Sequence, residues 1–151
     1  MRGTFKENEM GRKATPADGD LILKLYDLRR EAVMRQARAD MSAKFVPKSW
    51  EELSAVTKLD HPLNVAYRMV SSYWEMAASM AKHGALHAEL LAENFGEGYM
   101  NFAKVQPYLG EMRKNAPTAY VNTEWFVKSS KEAKLRYALM QKRVAGMTAK
   151  P

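Results

Sequence analysis

PLNVAYRMVSSYWEMAASMAKHG, residues 62–84, is the stretch on which the fold turns. Asp60 or His61 can open a helix here, and Gly84 supplies a left-handed stop just past His83. Between them the polar positions Asn64, Arg68, Ser71, Glu75, Ser79 and Lys82 recur at steps of three and four. At about 100° per residue they share a strip roughly 80° wide. Leu63, Val70, Tyr73, Trp74, Met76, Ala77 and Met80 cover the rest of the surface. A helix that is apolar over most of its circumference needs neighbours on most sides. The segment therefore predicts a central helix near 62–83 inside a bundle.

The flanking sequence supplies those neighbours. Thr15-Pro16-Ala17-Asp18 reads as a helix start, with Thr15 as cap, Pro16 at the first helical position and Asp18 complementing the dipole. A helix from there to about Ala43 places Leu21, Leu25, Leu28, Ala32 and Ala39 beside Ile22, Tyr26, Val33 and Ala37 on one broad apolar face. Arg29 and Gln36 project from the middle of that face, as candidates for a buried polar pairing or a partner contact. Pro47 breaks the chain, and Ser49-Trp50-Glu51-Glu52 restarts it as a capping box. After Gly84 come a helix over about 87–95, a bend at Gly96 and Gly98, and a helix over about 97–114 kinked near Pro107. Asn115-Ala116-Pro117 is the last clear break before a final helix over about 118–144. Along it Phe126, Ser130, Ala133, Tyr137, Met140 and Val144 form a heptad seam. No pair of alternating runs is joined by Asn-Gly or Asp-Gly. The expectation is an all-α, single-domain bundle of about five helices over residues 15–147. A basic, disordered tail precedes it (1–14), and a short tail follows (148–151).

The absence of cysteine excludes a disulfide framework and a thiolate nucleophile, and fits a cytoplasmic location. Residues 1–14 contain no apolar run of the signal-peptide kind. The low-charge segment 62–81 is too polar for a span through lipid. The net charge of +7 is unevenly placed: residues 111–151 hold nine basic against three acidic side chains. Lys128, Lys131, Arg136, Lys142 and Arg143 fall on the outer side of the last helix and could contact phosphates without reading sequence. Leu135 and Leu139 share that face, and leucines among lysines suit a protein–protein contact better.

Of the groups that could carry chemistry, His83 and His87 stand four apart, the spacing of two metal ligands on one helix face. Gly84 between them puts a helix end there, so capping is the expected role of both. Glu89, Glu93 and Glu97 also recur every four residues, the mark of a wet face rather than an acid/base pair. Gly96-Glu97-Gly98 lacks the preceding strand of a phosphate loop, and the eleven methionines are expected to fill core. No nucleophile elbow, Walker loop or dinucleotide fingerprint occurs.

WEMAASMAKHGAL, ENFGEGYMNFAKVQPYLGEMR and AYVNTEWF, between residues 61 and 126, resemble an uncharacterised bacterial family of small helical proteins, a domain of unknown function. The positions that match its pattern are Gly84, Phe95, Pro107, Arg113 and Glu124. Where that pattern has an acidic cap after the glycine, this chain has His87. The resemblance implies a helical fold and no particular activity, substrate or cofactor. The functional expectation is a binding or scaffolding protein without catalytic residues or cofactor. It self-associates through Leu135 and Leu139, with Arg29 and Gln36 as further contacts. Binding of nucleic acid or an anionic surface by the basic last helix is the alternative, and a metal-dependent enzyme at the His83/His87 corner is the third.

Overall fold

The computed structural model describes residues 11–149, and the chain there is helical throughout, with no strand among them. In chain order the helices are α1 (Pro16–Arg29), α2 (Ala32–Lys44), α3 (Trp50–Val56), α4 (Asn64–Lys82), α5 (Ala88–Ala92), α6 (Gly96–Val105), α7 (Leu109–Arg113), α8 (Val121–Val127) and α9 (Lys131–Thr148). A 3-10 turn, Gln106–Tyr108, links α6 to α7 at the expected proline kink. α4 is the central helix, with α2 along one side and α8 along another, while α9 lies along α6. Trp74 of α4 meets Phe95 edge to face at 4.8 Å, and Phe95 meets Phe126 of α8 at 4.5 Å and Tyr99 of α6 at 5.1 Å. Phe102 of α6 stacks against Tyr137 of α9 at 5.4 Å. Each such pair adds about 0.5–1.5 kcal/mol to the burial of its rings. Gly98 lets Phe95 sit there, because a Cβ at that position would lie 2.4 Å from the ring.

The bundle has more helices than the roughly five expected, because the two longest expected helices each divide. The first ends at Arg29. Glu31 then caps α2, its carboxylate accepting from Val33 N at 3.0 Å and Met34 N at 2.9 Å. The break lets the two halves set separate faces: Leu25 turns inward on α1, and Met34, Ala37 and Met41 turn inward on α2, while Leu28 and Val33 are exposed. Arg29 is half-buried, its guanidinium 5.4 Å from the centres of both the Tyr26 and the Trp74 rings, an arrangement of the cation–π kind. Gln36 lies outside the apolar face, exposed and bonded to Asp40 at 3.0 Å. The last helix divides at Ser129–Ser130. Ser130, placed by the sequence in a heptad seam, is instead the cap of α9 and accepts from Ala133 N at 3.1 Å. Only Ala133 and Val144 of that seam are buried on α9, with Tyr137 and Met140 packed at the edge of the core.

The start at Thr15 carries more than a cap. Asp18 is only 1% exposed and accepts from both terminal nitrogens of Arg12 (2.5 and 2.6 Å), from Thr15 N (2.8 Å) and from His87 N (2.9 Å). One carboxylate thus joins the chain before α1, the first turn of α1 and the start of α5. The expected tail 1–14 falls partly outside the described residues, but Arg12 is held in this cluster rather than free. The Arg12 hydrogen bonds, then the Thr15 amide, hold the Asp18 carboxyl well below the ordinary carboxylate value of 3.8. A group held low in the folded state adds stability above its unfolded value and loses it as pH falls. Wild type should therefore lose thermal stability as the pH drops from about 4 towards 2. Asp18→Asn should be less stable at neutral pH and lose less over the same interval, as thermal midpoints measured from pH 7 to 2 would show.

Candidate functional site: a groove along the central helix

The polar strip of α4 is the floor of an open groove of about 640 Å³. Tyr67, Arg68, Ser71, Ser72 and Glu75 form the floor. Trp50, Ser54, Thr57 and Lys58 rise on the α3 side, and Met112, Asn115, Ala116, Thr118, Ala119 and Tyr120 close the other. The strip is not simply solvated, since three of its members are fixed by other elements.

Asn64 is buried and spans the N-terminal turn of α4: its amide donates to Val56 O at 2.9 Å, and its oxygen accepts from Arg68 Nε at 3.0 Å. Arg68 is thereby oriented by its inner nitrogen, while its terminal nitrogens form no hydrogen bond or ion pair among the described residues. Ser71 accepts from the Asn101 amide at 3.1 Å and lies 3.0 Å from the Tyr120 hydroxyl, which donates to Tyr67 at 2.7 Å. Tyr67, Ser71 and Tyr120 thus form one hydroxyl cluster, held from the α6 side by the Asn101 amide. Burial pushes the phenols of Tyr67 and Tyr120 above their ordinary value, so both stay protonated and serve as donors.

Glu75 turns its carboxylate to the start of α8, accepting from Asn122 N at 3.0 Å, Thr123 N at 2.8 Å and Thr123 Oγ1 at 2.7 Å. It does from a distant helix what a cap residue does locally. The local cap position, Tyr120, has φ 59° and ψ 21°, the left-handed region. Holding a bulky residue there costs about 1–2 kcal/mol, and such strain gathers at functional sites. Arg113 bridges the same loop, donating to Ala119 O at 3.0 Å and pairing with Glu124 at 3.2 Å.

The histidine corner has a different geometry. His83 is the exposed residue after α4, followed by Gly84 at φ 76°. His87 caps α5, its Nδ1 accepting from Leu90 N at 3.0 Å, and its Nε2 lies 2.6 Å from Arg12 O. Nε2 therefore carries the proton, and both ring nitrogens are committed. No set of three or more metal-ligating side chains comes together among the described residues. Glu89 and Glu93 are exposed on and just after α5. Glu97 is on α6 and accepts from Trp74 Nε1 at 3.0 Å and Arg38 Nε at 2.8 Å. Of the methionines on α4, Met69 and Met80 pack against the core, but Met76 is 45% exposed. Leu135 and Leu139 are each 57% exposed on α9. Lys128, Lys131, Lys142 and Arg143 are exposed with them, whereas Arg136 is paired with Glu132 at 2.5 Å. No helix among the described residues is long and apolar enough to cross a membrane.

Fold and groove together define an all-helical protein with an open, donor-lined cleft on its central helix. The chain belongs to the DUF4760 family, described as a domain of unknown function, whose model matches residues 14–130. No curated protein and no solved structure matches it. The match is wider than the 61–126 resemblance and ends where α9 begins. The resemblance positions acquire physical roles: Gly84 takes the left-handed turn, Phe95 centres the aromatic core, Pro107 opens the 3-10 turn, and Arg113 pairs with Glu124.

Glu75→Ala should lower stability by about 1–2 kcal/mol, the range for losing a helix cap. Because the loss is local to α8, backbone amide exchange should rise most at Asn122 and Thr123. Uniform exchange across the bundle would contradict the capping role.

Proposed function

We propose that the chain is a non-catalytic binding protein whose groove takes an amphipathic anion, an organic carboxylate, sulfonate or phosphate with a flat apolar body. The observation that carries this reading is Arg68, held at its inner nitrogen by buried Asn64 with its outer fork unpaired in an otherwise largely apolar groove. A guanidinium so oriented presents two parallel donors to an oxyanion. Lys58 adds charge at the rim, and Trp50, Tyr67 and Tyr120 offer aromatic faces and edges. The acidic group of the groove, Glu75, has its carboxylate oxygens engaged by the start of α8. A cysteine-free chain with this site fits a cytoplasmic ligand.

Fluorescence titration with 8-anilinonaphthalene-1-sulfonate, an aromatic sulfonate, tests the site. Arg68→Gln should weaken binding by about 10–100-fold, the worth of one charge-assisted hydrogen-bond pair. Dye affinity unchanged in that variant, with its circular dichroism also unchanged, would overturn the reading.

A second reading concerns α9. Exposed Leu135 and Leu139 support self-association through this face, and the surrounding Lys128, Lys131, Lys142 and Arg143 support anion contact instead. Salt separates the two. Light scattering should show a dimer that strengthens with salt and is lost in Leu135→Glu/Leu139→Glu; a monomer at every salt and concentration rules it out. Heparin retention that falls steeply with salt would favour the anion contact.

A further inference from the structure

A second cavity, of about 240 Å³, lies between α2, α4, α6 and α9, apart from the groove. Lys104 of α6 lines it and is 5% exposed. A buried ammonium is expected to be paired and hydrogen-bonded. Lys104 Nζ instead has the Phe45 ring at 5.8 Å and no hydrogen bond or ion pair among the described residues. The carboxylate in this cavity, Glu97, is already taken up by Arg38 and Trp74. The Lys104 amine is thus largely buried, opens onto this cavity and is unpaired among the described residues, so the cavity can bring an acceptor to it.

We infer that this cavity binds a short aliphatic monocarboxylate, its head on Lys104 and its tail among methionines. The Lys104 ammonium supplies one positive charge, matched to a single carboxylate. Asn101 lines the same cavity, but its amide is engaged with Ser71, so the head group rests on the lysine. Met41, Met100, Met140 and Met147 supply flexible, polarizable walls that shape themselves to an alkyl chain. Met140 and Met147 belong to α9, beyond the family match, so this cavity depends on the last helix as the groove does not. Burial also lowers the pKa of Lys104, with Glu97 acting in the opposite sense. A bound carboxylate would act in the same sense as Glu97.

Calorimetric titration of the full chain with octanoate, and with 1-octanol as the uncharged control, tests the site. Octanoate should bind at least tenfold more tightly than octanol. Lys104→Met, close in shape and uncharged, should remove that preference, while Arg68→Gln should leave it intact. In wild type, octanoate should also protect Lys104, but not Lys58, from acetic anhydride, as read by peptide mass spectrometry. This arm stands whether or not the methionine variant folds. Absence of octanoate binding, equal affinity for octanol, loss of binding in Arg68→Gln, or unprotected Lys104 would each overturn the proposal.

Discussion

The carboxylate of Glu75 is the interaction on which the cleft depends. It stands midway along α4 and bonds two backbone amides and a hydroxyl at the start of α8. The first amides of any helix lack internal acceptors, and a helix as short as α8 makes few bonds of its own to offset leaving them bare. With Glu75 as acceptor, α8 can begin directly after a left-handed residue that has no capping side chain. Tyr120 is that residue. The turn it makes carries its ring back over α4, where its hydroxyl reaches Tyr67 and Ser71. One side of the groove is therefore a consequence of one ion–helix contact.

The same device recurs elsewhere. Asp18 in the first turn of α1 also receives the His87 amide at the start of α5, and Glu97 in the first turn of α6 receives Trp74 from α4 and Arg38 from α2. Acidic side chains near helix N-termini are favoured by the helix dipole, and here each also ties two or more segments together. In a chain with 24 basic and 17 acidic residues, several carboxylates are thus consumed in joining helices. The cations left without partners among the described residues include Arg68 in the groove and Lys104 in the second cavity. The proposed sites use cations that are buried or held in one orientation, in contrast to the exposed row along α9.

What could be read from the sequence was whatever is encoded locally. Thr15-Pro16, Ser49, Gly84 and the break at 115–117 all mark helix ends by backbone preference, and the ends lie there. The central helix was legible because its apolar circumference exceeds what one neighbour can cover. The break at Glu31 was not, since glutamate is a weak cap signal and the apolar spacing continues through it. At Ser130 an i, i+3, i+4 rhythm happened to run across a cap, so two helices looked like one seam. The groove was present in the sequence as the strip Asn64, Arg68, Ser71 and Glu75. Its spacing reported a shared face but not what that face meets, because the partners, Asn101, Tyr120 and the α8 amides, lie 30 to 49 residues away. Lys104 carried no signal beyond being a lysine in an apolar helix.

The balance of donors and acceptors in this groove is what supports the proposed binding role. Three of its acceptors are occupied: Glu75 by α8, Asn64 by Arg68, Ser71 by Asn101. The outer nitrogens of Arg68 form no hydrogen bond among the described residues. The phenols, held protonated by burial, cannot act as bases near neutral pH. The ligand proposed for this groove would bring acceptors, at least one of them charged, and an apolar body to displace water from the remaining surface. The Glu75 contacts and the hydroxyl cluster hold Tyr120 in its left-handed conformation, so this wall of the proposed site is set by the fold.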